Sequence, residues 1–198
     1  MTVIDAARRR ATRGRLVEAA VREFGRNGID ATSVEQLCEA AGFTRGAFYS
    51  NFSSKDELCI EIARHVFEEM AARLQEVLAS MPESFRPDEI IPALLDVTQL
   101  STDLHATQVE LELRAARHPE FGEQLEVARR DLWPLYVEFA EKAAARGRVR
   151  FTIPVHDALQ VLAALHHSPA YIGRTGESRR LIMLMTEHFI APTTEAEA

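Results

Sequence analysis

The chain has 198 residues, of which 46% are hydrophobic and 27% charged, with a formal net charge of −7. That suffices for a buried core and is ordinary for a soluble globular protein. No apolar run approaches the roughly 18 residues of a membrane span, the basic start from Met1 to Arg15 lacks the apolar core of a signal peptide, and two cysteines are too few for a disulfide framework.

Taken in chain order, almost every segment reads as helix. From Arg13 to Asn27 the apolar residues Leu16, Val17, Ala20, Val21 and Phe24 recur with the period of one helix face. Gly28 follows, where a helix end favours a residue tolerant of positive φ. Ser33 with Gln36 fits a capping box for a second helix, whose inward stripe is Val34, Leu37, Cys38 and Ala41. Gly42 ends that helix, and Thr44 can cap a third from Arg45 to about Phe52. Ser54 with Glu57 makes another capping box. It opens a long helix carrying Leu58, Ile62, Phe67, Leu74 and Leu78, stopped near Ser80 by Met81-Pro82. Cys38 and Cys59 each sit in an apolar helical pattern and read as small buried hydrophobes.

Further helices are expected at about 87–104, 105–117, 120–146, 155–171 and 177–190, set apart by prolines and glycines. Pro134 lies inside a helical stretch, Asp131 to Tyr136, and should kink or break it. Few alternating β-branched runs occur, so no sheet is expected. The fold class is all-α. Residues 1–53 are expected to form an N-terminal three-helix unit and residues 54–198 a larger helical domain.

The charge is unevenly spread. Residues 1–55 hold nine Lys/Arg against six Asp/Glu, while the remainder carries a surplus of ten negative charges. A basic end on an acidic body approaches a polyanion in one orientation. The basic end also contains the two short helices joined through Gly42, a helix-turn-helix pattern. A helix that enters a major groove needs a small, polar or aromatic outer face and an inner face that still packs. In Thr44 to Phe52, Phe48 and Phe52 are four apart and can face inward. That leaves Thr44, Arg45, Gly46, Tyr49, Ser50 and Asn51 for outward work. Gly46 costs helix stability, about 1 kcal/mol relative to Ala, and fits a place where backbone approaches DNA closely.

These residues resemble the DNA-binding domain of the TetR family of repressors over residues 12–63. The likeness runs through Ala19-Ala20, Phe24, Gly28, Thr32-Ser33-Val34, Ala40 to Tyr49, and Phe52 to Leu58, with caps, turn glycines and aromatics in register. Asn51 departs from the histidine or tyrosine of many members. The resemblance implies that Thr32 and Ser33 offer hydroxyls or helix N-terminal amides to a phosphate. It also implies that Tyr49 reaches a phosphate or thymine methyl and that Lys55 neutralises a backbone charge. Arg45, with Thr44, is the first choice for reading base edges, because a guanidinium can take guanine in bidentate fashion. Arg8, Arg9, Arg10 and Arg13 are candidates for an arm on the adjacent groove or backbone.

Family resemblance further implies a homodimer on double-stranded DNA with a palindromic operator, and an unknown small-molecule effector that releases it. The last two helices should build the dimer interface, with Ala158, Val161, Leu162 and Leu165 on one stripe and Leu181, Leu184, Met185 and His188 on the other. Candidates for the effector pocket, with polar handles on apolar faces, are His105, Gln108, Glu112, Trp133, Tyr136 and His166. The adjacent pair His166-His167 points about 100° apart on a helix, so a metal site is not expected. No cofactor is expected. Neither paired Glu-x-x-His motifs nor a phosphate-cradling loop nor a nucleophile elbow occurs, so an enzyme is not expected. The expected location is the cytoplasm, with no membrane partner.

Overall fold

The computed structural model describes residues 3–83, 101–130, 133–166, 168–172 and 174–193. It divides into two compact units that do not follow sequence order: residues 1–65 with 101–128, and 66–100 with 129–198.

The first unit holds α1 (Val3–Asn27), α2 (Val34–Ala41), α3 (Arg45–Tyr49), the opening turns of α4 (Lys55–Ser80), α5 (Thr102–Arg117) and most of α6 (Pro119–Arg130). Its core is the periodic set read from the sequence. Leu16, Phe24, Ile29, Leu37, Phe48, Phe52, Leu58, Cys59 and Ile62 are all 1% exposed or less. Burial pushes the Cys59 thiol up to about 12, so it is an inert packing group.

Helix α1 begins ten residues earlier than the apolar stripe suggested. Alanines and arginines at positions 6–11 are strong helix formers, and Asp5 favours the helix N-terminus. Arg8, Arg9 and Arg10 therefore ride on a helix. Helix α5 lies against α1, and at Gly25 the two backbones are so close that a Cβ would stand 2.5 Å from the Asp103 carbonyl oxygen. The buried Thr107 hydroxyl reaches the Val21 carbonyl at 2.9 Å across that contact.

The second unit holds the rest of α4, then α7 (Trp133–Arg146), β1 (Val149–Phe151), α8 (Val155–His166), a 3-10 turn (Pro169–Tyr171), α9 (Thr175–Phe189) and β2 (Ile190–Pro192). One cluster packs Leu74, Met81, Phe139 and Ala143, with Val77, Leu78 and Tyr136 against it. Another sets Ile182 of α9 against Leu162 and Leu165 of α8. The Arg146 guanidinium donates to the carbonyls of Leu78 (2.7 Å) and Met81 (3.3 Å), satisfying the C-terminal end of α4.

The stretch expected as helix over 120–146, with a kink or break at Pro134, is covered by α6 up to Arg130 and α7 from Trp133. Pro134 thus sits in the first turn of α7, where its missing N–H is not needed. A sheet is also present: β1 and β2 pair antiparallel, with Arg150 opposite Ala191. Three-residue strands are too short to carry an alternating pattern, so the sequence did not show them. The helix expected at 87–104 lies for the most part outside the described residues. Helix α5 starts at Thr102, capped by the Ser101 hydroxyl.

Candidate nucleic-acid interface

The helix-turn-helix is fixed by local bonds at each joint. The Ser33 hydroxyl accepts from the Gln36 N–H (3.2 Å), and the Gln36 amide oxygen accepts from the Ser33 N–H (2.7 Å), closing the capping box of α2. At the other end Gly42 adopts φ 69°, a left-handed conformation that suits glycine. Its N–H bonds to the Glu39 carbonyl, and the Phe43 N–H bonds to the Cys38 carbonyl at 2.8 Å, a Schellman pair. The Arg15 guanidinium donates to the last carbonyl of α2, at Ala41, from 2.9 Å, and lies over the Phe43 ring. Thr44 then caps α3 by accepting from the Ala47 N–H at 3.2 Å.

This leaves one outer face. Thr44, Arg45, Gly46, Tyr49 and Ser50 are exposed, with Tyr49 at 49%, while Phe48 beneath is fully buried. The Arg45 guanidinium sits 5.8 Å from the Tyr49 ring and pairs with Glu35 on α2 at 2.6 Å. A side-chain hydrogen bond with Tyr49 and then the Glu35 carboxylate push the Arg45 pKa up, so the group stays cationic. The capping residues Ser33 and Thr44 are exposed as well.

Three residues assigned outward roles from the sequence are turned inward. Thr32 is 1% exposed, and its hydroxyl donates to the Gly28 carbonyl at 2.7 Å, closing the turn after α1. Asn51 is 8% exposed, and its amide donates to the Ala47 carbonyl at 2.8 Å, ending α3. Lys55 donates to the carbonyls of Ile29 (2.6 Å) and Thr32 (3.0 Å), so its ammonium first satisfies the chain's own backbone. Arg13, considered for an arm, instead stacks 4.2 Å over Phe52, donates to the Asn51 carbonyl and pairs with Glu61 at 3.0 Å.

The sequence reading also missed the residues that hold the module from α5. Glu110 accepts from the Ile29 N–H at 3.1 Å. Arg114 bridges Asp30 in the α1–α2 turn and Asp56 at the start of α4, the latter at 2.7 Å. These are contacts between residues far apart in sequence. A glutamate and an arginine one helical turn apart look like any solvated face.

A profile of bacterial regulatory proteins of the tetR family matches residues 16–62. The transcriptional repressor KstR2 of Mycobacterium tuberculosis is 28% identical over 127 residues, which is 61% of this chain and 62% of KstR2. This chain therefore spans somewhat under two thirds of KstR2 in that match. The repressor AcnR of Corynebacterium diphtheriae is 28% identical over 157 residues, 78% of this chain and 77% of AcnR. The solved fold of reduced E. coli NemR superposes with a TM-score of 0.71 at 20% identity, over 92% of this chain and 100% of NemR. The N-terminal part of the chain thus matches the tetR family, and the whole chain shares the fold of TetR-family regulators. These relatives are transcriptional regulators and not enzymes. The matched stretch covers most of α1, all of α2 and α3 and the start of α4, and the helical structure that follows agrees with the fold of the solved TetR-family regulators.

Beyond that module, the TetR-type roles assigned from sequence meet the structure unevenly. Of the effector candidates, His105 and Gln108 are buried and Glu112 is exposed on α5 in the first unit. Trp133, Tyr136 and His166 belong to the second. There Trp133 and Tyr136 stand 6.2 Å apart, and the ring of His156 lies edge-on to Trp133 at 5.5 Å. Among the described residues the buried Trp133 Nε1–H has no hydrogen-bond partner, and burial raises the Tyr136 hydroxyl to about 12. Of the interface candidates, Ala158 is fully buried within its own chain, so it belongs to the protomer core. Leu162 and Leu165 pack partly on Ile182, and Leu181 and Met185 are half-buried. Val161 (39%) and Leu184 (41%) stay exposed, as does His188, whose ring contacts the Leu184 carbonyl.

Proposed function

We propose that the chain is a cytoplasmic, dimeric transcriptional repressor that seats α3 of each subunit in a palindromic operator and is released by a small-molecule effector. The outer face of the helix-turn-helix carries the reading: exposed Thr44, Arg45, Gly46, Tyr49 and Ser50 over a buried Phe48. Such a face offers hydroxyls, a phenol and a guanidinium to phosphates and base edges, with little apolar surface for a protein partner. Ser33 and Thr44, exposed at the starts of α2 and α3, offer their hydroxyl protons to phosphate. Arg45 takes a guanine, and the third N–H of Lys55 reaches backbone phosphate from its seat on the Ile29 and Thr32 carbonyls.

One module contacts too few base pairs for tight specific binding, so a two-fold dimer reads two half-sites. The exposed apolar side chains Val161 and Leu184 support a second copy docking on α8 and α9, with Leu162, Leu165, Leu181 and Met185 beneath and His188 at the rim. Residues 1–53 make the DNA contacts, and 54–198 serve the effector and the dimer. The Trp133 Nε1–H, which has no partner among the described residues, lies beside Tyr136 and supports a ligand with a hydrogen-bond acceptor there. Release follows if the effector prefers a state in which the two α3 helices are wrongly spaced. Within the first unit, Glu110 and Arg114 of α5 grip both ends of the segment that carries α2 and α3, so a displacement of α5 would move α3.

Titration of the full chain onto a random DNA duplex at increasing salt tests the core of this. Affinity should fall steeply, with a log–log slope of several ions. A flat response would remove the DNA-binding reading. Selection of genomic fragments with the same protein would then yield the operator, whose half-site spacing must fit one helical turn or a multiple of it.

A further inference from the structure

We infer that Glu35 determines operator specificity as a pair with Arg45, accepting a hydrogen bond from the cytosine next to the guanine that Arg45 takes. The inference rests on the reading of α3 as the base-contacting helix. Glu35 stands in the first turn of α2, and Arg45 is the first residue of α3. Their contact, at 2.6 Å between the Glu35 Oε1 and the Arg45 Nη1, joins the two helices across the turn. Both side chains are more than half exposed, at 56% and 61%. An α3 that carries Arg45 to the base edges therefore carries the carboxylate with it.

A carboxylate so placed is repelled by the phosphates on either side of the groove, so it favours DNA only where it finds a donor. The Arg45 fork has five donors in fixed directions. Glu35 engages Nη1 and Tyr49 flanks the guanidinium at 5.8 Å and shares a hydrogen bond with it, so the donors of the fork left over meet guanine O6 and N7. The Glu35 Oε2 is left to accept from a neighbouring base. Cytosine presents only its N4 amino donor in the major groove, whereas the adenine amino group stands beside the N7 acceptor, which repels an anion. The arrangement thus selects cytosine beside guanine. It also selects against non-specific duplex through phosphate repulsion.

The test is selection from a random duplex pool with the full chain and its variants. E35Q, whose amide suits adenine N6 and N7, should exchange cytosine for adenine at one position next to the guanine. E35A should relax that position, raise affinity for random duplex and narrow the gap between operator and random duplex about tenfold. Unchanged base preferences, with operator and random affinities rising together, would mean that Glu35 only repels phosphate, and the proposal fails. R45A separates the two levels. If R45A relaxes a guanine while neither Glu35 variant shifts a base, the pairing fails and the base-contacting reading of α3 stands. If R45A relaxes nothing, or the parent protein selects no sequence, that reading fails as well.

Discussion

The helix pair α2–α3 and the helix pair α8–α9 solve opposite problems with similar residues. In α2–α3 the joints carry named locks: a capping box at Ser33, a left-handed Gly42, and Thr44 over Ala47. The aromatics are hidden and the outer face is polar. In α8–α9 the start of α9, at Arg174, has no side-chain cap, and the pair is held by Leu162 and Leu165 on Ile182. Its outer face keeps Val161 and Leu184. The difference teaches that the outward face, not the core, announces the partner. Hydroxyls and guanidinium over a rigid frame suit a polyanion, whereas exposed aliphatic groups suit another protein surface.

The largest effect belongs to the frame. Phe48→Ala deletes a side chain that is fully buried against Phe52 at a centroid distance of 5.9 Å. The expected loss is about 3–5 kcal/mol, read from denaturant unfolding. Specific and non-specific DNA binding should fall together, because the whole outer face loses its support. A variant that unfolded normally would show that α3 is held by its caps rather than by its aromatics.

Leu184→Arg probes the other pair. The side chain is 41% exposed, so the protomer should tolerate the change, with helix content by circular dichroism unaltered. Dimerisation should weaken by about a hundredfold or more, because a charge is desolvated at the apolar contact, and sedimentation velocity would show a monomer. An intact dimer would move the interface elsewhere and erase the contrast drawn between the two faces.

How much of this was legible follows from where each signal lives. The caps of α2 and α3, the glycine turn, and the inward Phe48 and Phe52 were legible because they are local: each depends on residues at most about four apart. Thr32 and Asn51 turn inward because short polar side chains next to a turn choose between water and a nearby carbonyl, and the backbone partners of Lys55 were not legible either. The sequence does not show which carbonyl lies in reach. Lys55 finds those of Ile29 and Thr32, more than twenty residues upstream. Ala158 shows the same limit on an apolar stripe, since periodicity marks a buried face without saying whether its own chain or a partner covers it. Glu110 and Arg114 were invisible because their partners Ile29, Asp30 and Asp56 meet them only in the folded chain.

Lys55→Ala sharpens the reading of the frame. If the ammonium mainly satisfies the Ile29 and Thr32 carbonyls, the variant should lose about 1–2 kcal/mol of stability, a range set by partly exposed charge-assisted bonds. If it mainly meets phosphate, stability should hold while the salt slope of DNA binding drops by about one ion. A fall in both would mean that one lysine serves both ends, with two N–H groups on carbonyls and the third on DNA.

The smallest effect is a pH dependence at the joint between α3 and α4. The Ser54 hydroxyl caps α4 by accepting from the Glu57 N–H, as the capping box requires. The Glu57 carboxylate, however, reaches one residue further back, accepting from both the N–H and the hydroxyl of Ser53 at 2.7 Å. The backbone bond first, then the hydroxyl bond, hold its pKa below the ordinary glutamate value, with Arg13 adding to the effect. A carboxylate lowered in the native state adds stability that is fully present above its unfolded pKa of about 4.3, and loses it as pH falls through that value and the lower native one. The side chain is 43% exposed, so solvent screening keeps the contribution well under about 1 kcal/mol. Glu57→Gln should therefore be slightly less stable than the parent at pH 7 and indistinguishable from it near pH 3. Thermal unfolding across that range reads the difference. A gap that persists in acid would mean that Glu57 acts through shape alone, and that the joint owes nothing to its charge.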